Sequence, residues 1–286
     1  TYEMGSTFKA FTTAMALDSG LVKMTDSFDA RGSIRIGGFT IKDFHGKNRV
    51  LSVPEIFIYS SNIGTARMAD MVGIPGHKEF LTRLGLLTRM HTELPEVATP
   101  NQPSEWKKIN SITISFGHGV STTPLQTAVA AAALMNGGKL IEPTFLPRSP
   151  EEAARIAVPV IQPSTSKHMR DLMELNATKG SGGSGSRAAV EGFRVGGKTG
   201  TAEKVVNGRY SSAVRFNAFL SAFPIDNPEY VVLVVIDEPK PEEGKHSATA
   251  GLNAAPTVGA IIRRTGAFLG VRPRFGNDTQ ALSLSY

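Results

Sequence analysis

No cysteine occurs anywhere in the 286 residues. Disulfides, thiolate metal sites and a cysteine nucleophile are therefore excluded, and a thiol-free chain suits an oxidising compartment. Long apolar runs are missing too. The stretch Tyr230 to Ile236 is among the longest and is far too short to cross a bilayer, and no signal-peptide pattern opens the chain. Basic residues are scattered, with doublets such as Lys107-Lys108 and Arg263-Arg264 but no basic-aromatic stripe, so nothing points to nucleic acid. The histidines show no metal-ligand spacing, and no internal repeat is apparent.

What is present is ordinary globular composition, 41% hydrophobic and 20% charged. The length suits one large domain or two intimate subdomains with a substantial core. The net charge of +6 reads first as solubility and second as attraction to an anionic substrate or lipid headgroup.

Phe8, Phe11 and Met15 recur at helical spacing and predict a helix from Ser6 to Ser19, stopped at Gly20. Alternation and glycine from Phe28 to Val50 predict short strands and turns. Helical patterning returns from Val53 to about Leu87, broken at Gly73-Ile74-Pro75-Gly76, and prolines make residues 93 to 105 a loop. Thr123 to Asn136 reads as an Ala-rich helix, and another follows Ser164 to about Asn176. Gly180 to Ser186 is glycine and serine only, the composition of a flexible loop. Arg194 to Ala202, Phe216 to Phe223 and Tyr230 to Ile236 are strand candidates, and Ala254 to Leu269 a closing helix. Helices first and strands last imply a mixed fold with an antiparallel sheet.

Three short patterns carry chemistry. In Ser6-Thr7-Phe8-Lys9, residues three apart share a helix face, and a neutral amine beside a serine can take its proton. The ordinary alternative is a helix-capping serine and a solvated lysine. Ser60-Ser61-Asn62 places a hydroxyl and an amide two residues apart, where a helix cap is the ordinary alternative. Lys198-Thr199-Gly200-Thr201 follows two glycines. Glycine in a strand marks close approach of a ligand or backbone, and hydroxyls beside a lysine suit a carboxylate; the alternative is a Gly-rich hairpin. Each pattern alone is weak.

Together, S-x-x-K, then S-x-N, then K-T-G mark the penicillin-recognising serine enzymes. The chain resembles class B penicillin-binding proteins. Tyr2 to Lys9, Phe116 to Gln126 and Arg194 to Lys204 look like the septal, penicillin-binding-protein-3 type of Gram-negative bacteria. The resemblance implies an α/β (α+β) transpeptidase fold over residues 1–286, shared with serine β-lactamases: a central antiparallel sheet flanked by helices, with a mainly helical subdomain within about residues 20–160. The family has two strands ahead of the serine helix, and here Ser6 comes too early for them, so an incomplete central sheet is expected.

The resemblance also implies roles. Ser6 attacks the carbonyl between the two terminal D-alanines of a peptidoglycan stem peptide, and Lys9 is its base. Ser60 relays the proton to the leaving amine, and Asn62 holds Lys9 and the substrate amide. Lys198, Thr199 and Thr201, with Gly200 between them, bind the substrate carboxylate, and the Ser6 and Thr201 N–H groups form the oxyanion hole. Gly117 to Ser121 supports the site, with His118 structural. No cofactor and no metal are implied. The expected partners are stem peptides, β-lactams and divisome membrane proteins. A membrane anchor is expected in a longer parent, at the periplasmic face of the inner membrane. With no packing side chains and no catalytic groups in its composition, the 180–186 run is expected to tolerate shortening.

Rival readings stay open. A class A β-lactamase needs E-x-x-L-N, which Glu93-Leu94-Pro95-Glu96 does not supply. A D,D-carboxypeptidase, an elongation-type transpeptidase, and a non-catalytic β-lactam sensor or divisome scaffold are the others.

Overall fold

The structure, a computed structural model, describes residues 1–206, 208–241 and 248–275. The chain opens on a 3₁₀ turn, Gly5–Phe8, that runs directly into helix α1, Lys9–Asp18. Four short strands follow: β1 Ser27–Asp29, β2 Ile34–Ile36, β3 Phe39–Ile41 and β4 Val50–Ser52. They form two antiparallel ribbons, β1 with β4 and β2 with β3. The helical region holds α2 Val53–Ile58, α3 Asn62–Arg83, α4 Lys108–Ser115 and α5 Pro124–Met135. A ribbon of β5 Lys139–Leu140 and β6 Val158–Pro159 brackets α6 Pro150–Ile156. Helix α7, Pro163–Ala177, leads to strands β7 Gly196–Val206, β8 Arg209–Phe223 and β9 Tyr230–Asp237, and α8 Ala254–Thr265 closes the fold.

Local chemistry sets where the helices start. Ser52 with Glu55 before α2, and Thr123 with Gln126 before α5, each form a reciprocal capping box with proline in the first turn. Helix α3 breaks at Gly73, whose φ of 79° no β-branched neighbour would accept, within the segment where the sequence predicts a break. Helices α4 and α6 lie outside the predicted elements. At 8 and 7 residues they are too short for periodicity to stand out.

β8 is the middle strand of an antiparallel sheet ordered β7–β8–β9. Its side chains alternate as a pleat requires. Ala218, Leu220 and Ala222 join Val231, Leu233 and Val235 in the core beneath α1, α5 and α7. Phe219 and Phe223 join Val232, Val234 and Ile236 against α8. Cover on both faces explains why β9 reads as an unbroken apolar run. No strand pairs with the outer edge of β9 among the described residues, which leaves its side chains half-buried. The architecture is the expected α+β one.

The other edge of the sheet, β7, lies against the 3₁₀ turn backbone to backbone. A Cβ on Gly200 would sit 2.6 Å from the Met4 carbonyl oxygen and 2.8 Å from Thr7 Cγ2. Gly117, at φ 90°, is pressed on the Gly5 carbonyl so closely that any side chain would collide with it. These two glycines let three segments converge. Gly117→Ala therefore combines a left-handed backbone with a backbone clash and is expected to lower unfolding free energy by about 3 kcal/mol or more, measured by urea denaturation. A loss below about 0.5 kcal/mol, the size of an ordinary surface change, would contradict this close packing.

Candidate active site

Ser6 lies in the 3₁₀ turn, where positions three apart eclipse. Its partner at that spacing, Lys9, is the first residue of α1 and only 1% exposed, while Ser6 stays partly open to solvent. The Lys9 Nζ donates to the Ser60 carbonyl at 2.5 Å and reaches the Ser60 Oγ at 3.0 Å. From β7, the fully buried Lys198 places its Nζ 2.9 Å from the same Oγ, 3.2 Å from the Thr199 carbonyl, and 5.8 Å from the Phe57 ring centroid. One hydroxyl thus bridges two lysines from distant parts of the chain.

Ser60 reaches this position through an unusual backbone. It follows α2 at the point where Ser60 N–H bonds Phe57 O and Ser61 N–H bonds Ile56 O. That pair of bonds is a Schellman helix end, whose left-handed residue is ordinarily glycine. Here it is serine, at φ 55°. A non-glycine residue held there stores about 1–2 kcal/mol of strain, and its hydroxyl meets both lysines.

Two full ammonium groups on one oxygen would stand within roughly 6 Å of each other, a repulsion of about 3 kcal/mol at an effective dielectric of about 20. Both are also stripped of water. Burial first, then the charge of Lys198, push Lys9 well below the ordinary lysine range, with Asp43 opposing them. Burial alone brings Lys198 down to about 7. The pair therefore holds fewer than two protons near neutrality, and titrates as a pair. A neutral amine accepts a hydroxyl proton, so the arrangement can move a proton between Ser60 and either lysine.

The rest of the K-T-G segment is tied into neighbouring loops. Thr201 Oγ1 accepts from the Ala250 N–H at 3.1 Å, and Thr199 Oγ1 shares a 2.6 Å hydrogen bond with Ser184 Oγ. The 180–186 run, expected from its composition to be a flexible loop without packing side chains, is thus tied to β7 through Ser184. Asn176, fully buried at the end of α7, donates to the Gly197 carbonyl at 2.8 Å and accepts from the Ser184 N–H at 3.1 Å. A Cβ on Gly183 would press on the Asn176 backbone, and one on Gly185 would come 2.9 Å from the Phe219 ring. Gly183 and Gly185 serve close packing, whereas a Cβ on Gly180 would meet open space; composition alone does not distinguish the two cases.

A correction concerns Asn62. Its Nδ2 donates to the Lys42 carbonyl at 2.8 Å, and the Lys9 amine is held by Ser60 instead. Asn62 is the first residue of α3, and its side chain turns back to the β3–β4 loop. His118, expected to be structural, lies in the turn after α4. It is half-buried, stacked edge-on with Phe116 and Tyr210, and held down at about 4 by desolvation and then by Lys9. Beside it, Glu3 accepts from the Gly119 N–H at 2.8 Å and from the Tyr210 hydroxyl at 3.2 Å. Asp43, Asn176, Ser184 and the Glu3–Tyr210 contact all fall outside the three motifs. Only Glu3, next to the serine pattern, had a sequence signal.

The transpeptidase domain of penicillin-binding proteins matches residues 1–263. The chain belongs to that family. It is 41% identical over 278 residues to the probable peptidoglycan D,D-transpeptidase FtsI of Caulobacter vibrioides, covering 95% of this chain and 47% of the relative. It is 37% identical to the probable peptidoglycan D,D-transpeptidase PenA of Neisseria flavescens, over 95% of this chain and 66% of that one. The chain thus spans about half to two thirds of the length of these relatives. Among solved structures, the transpeptidase domain of Burkholderia pseudomallei penicillin-binding protein 3 superposes with a TM-score of 0.87 at 30% identity, covering 96% of this chain and 82% of that one.

The Asn176 contacts generate a prediction for this transpeptidase domain. Asn176→Ala leaves the Gly197 carbonyl and the Ser184 N–H without partners and should lower stability by about 2–4 kcal/mol by thermal melt. Deleting Gly182 to Ser184 should slow penicillin acylation about tenfold, about 1.4 kcal/mol in the barrier. Wild-type acylation after the deletion would return the loop to a linker.

Proposed function

We propose that this chain is the catalytic domain of a septal, class B peptidoglycan D,D-transpeptidase, inhibited by β-lactams through an ester on Ser6. The observation that carries the reading is the Ser60 hydroxyl held between two buried, partly deprotonated lysines beside the serine turn. The names of the relatives agree with it. The rest of the division machinery, including its membrane proteins, and a periplasmic location belong to the same proposal. No helix among the described residues is long and apolar enough to cross a membrane; a membrane anchor is part of the same proposal.

In this reading Ser6 Oγ attacks the carbonyl carbon between the terminal D-alanines as its proton passes to the neutral Lys9 amine. The Ser6 and Thr201 N–H groups receive the oxyanion, each donor worth a few kcal/mol. The C–N bond breaks, and the leaving D-Ala nitrogen takes a proton through Ser60 Oγ, with Lys198 behind it. An amine of a neighbouring stem peptide then attacks the ester carbonyl and gives up its proton, and Ser6 regains its hydroxyl. Lys198, Thr199 and Thr201, on the strand carrying Gly200, face the substrate carboxylate. Asn62 Oδ1 accepts from the substrate amide. With a β-lactam the cleaved nitrogen stays attached and blocks the acceptor, so the ester persists.

The test is intact mass after incubation with a penicillin, followed by mapping of the modified residue. One adduct on Ser6 is expected, absent from Ser6→Ala. Lys9→Arg, which keeps the charge and cannot deprotonate, should slow acylation by at least about 10³-fold, a general-base loss, with the melting temperature retained. An adduct of equal yield on Ser6→Ala would sink the assignment. Transfer of the acyl group of a thioester substrate to a D-amino acid separates a transpeptidase from a sensor, and release to water alone would favour a carboxypeptidase.

A further inference from the structure

Asp43 belongs to no motif, yet its carboxylate is built into the turn that carries Ser60. It lies on the loop between β3 and β4. Its Oδ2 accepts from Ser61 Oγ at 2.7 Å, and its Oδ1 accepts from the Ile63 N–H at 2.9 Å. Ser61 Oγ in turn accepts from the Gly64 N–H at 2.9 Å. The residue before Asp43 contributes as well, because the Lys42 carbonyl accepts from Asn62 Nδ2. Two consecutive loop residues thus grip the three residues that follow Ser60.

That grip has a reason. Ser60 is held left-handed, and such a backbone persists only where its surroundings over-determine it. The helix end fixes it from the N-terminal side through Phe57 and Ile56. Asp43 and Lys42 fix it from the C-terminal side. The Ser60 carbonyl and Oγ, both bonded to Lys9, move with this turn.

The second observation is charge. The titratable groups coupled to Lys9 are Lys198 from β7, Asp43 from the β3–β4 loop and His118 from the turn after α4. Asp43 is the one acid among them. It favours the ammonium form of Lys9, against burial and Lys198.

We propose that Asp43 is a positioning residue of the acylation machinery, holding the Ser60 turn against Lys9 and supplying the negative charge that buried Lys9 faces. The proposal rests on the functional reading above. It assigns to one carboxylate both the geometry of the proton relay and its electrostatic balance. Asp43 reaches neither substrate nor Ser6; it works through Ser61, Ile63 and Lys9.

The experiment is the rate of Ser6 acylation by a fluorescent penicillin, followed from about pH 5 to about pH 9, for wild type, Asp43→Asn and Asp43→Glu, with each fold checked by circular dichroism. Asparagine keeps an acceptor for the Ile63 N–H and a donor for Ser61 Oγ but removes the charge. Without that charge Lys9 loses its proton more readily. The acidic limb of the profile should therefore shift to lower pH by about half a unit or more. Glutamate keeps the charge on a longer arm, so its limb should stay in place while its plateau rate falls several-fold. An Asp43→Asn limb coincident with wild type would overturn the proposal. If Asp43→Asn does not fold, Asp43→Glu decides alone: a wild-type plateau, or a displaced limb, overturns the proposal. A wild type that takes no adduct on Ser6 would contradict the functional reading instead.

Discussion

Two lysines without water, meeting on one hydroxyl, are the constraint on which the rest of the structure depends. Burying one ammonium group unpaired is expensive, and burying two side by side more so. Among the described residues neither lysine has a carboxylate in hydrogen-bond contact, and each is instead bonded to oxygens of Ser60 or Thr199. Oxygen dipoles stabilise an amine without neutralising it, so the cluster resolves its charge by giving up protons. That makes the amines available as bases at neutral pH, which an exposed lysine never is. The fold tolerates an unfavourable core feature that the proposed acylation would use.

Holding that cluster requires three segments from distant parts of the chain to meet at backbone distance. The 3₁₀ turn, the edge of β7 and the 117–119 loop do so at Gly200 and Gly117, where no side chain fits. The fourth piece, Ser60, comes from the helical region and is clamped from both sides. Glycine gives close approach where backbones touch, and serine occupies a glycine-like backbone where a hydroxyl is needed. Around the rim, Asn176 fastens the 180–186 loop to β7 and brings Ser184 to Thr199. Strand β7 is thereby fastened at Gly197 and Thr199.

Much of this was legible in the sequence. The helices starting at Val53 and Pro124 have caps and prolines that announce them, and β9 has the unbroken apolar run of a strand covered on both faces. The three motifs named the groups that the structure brings together: Ser6 and Lys9 on one turn, and Lys9 and Lys198 on Ser60. What was not legible depends on contacts between distant residues. Asn62 was expected at Lys9, but a left-handed Ser60 turns its own carbonyl there instead. Nothing in Gly180 to Ser186 distinguishes glycine chosen for packing from glycine chosen for freedom. Asp43 acts across 18 residues of chain, a distance at which no periodicity points to Ser61.

The central claim is that Lys9 and Lys198 share fewer than two protons at neutral pH. Isotope-labelled lysine followed by NMR through a pH titration tests it directly, with Lys9→Arg and Lys198→Arg spectra to assign the two signals. The account predicts at least one of the two signals titrating near about 7, more than three units below an ordinary lysine at about 10.4. Both signals titrating together near about 10.4 would mean two full ammonium charges beside Ser60, and would contradict it.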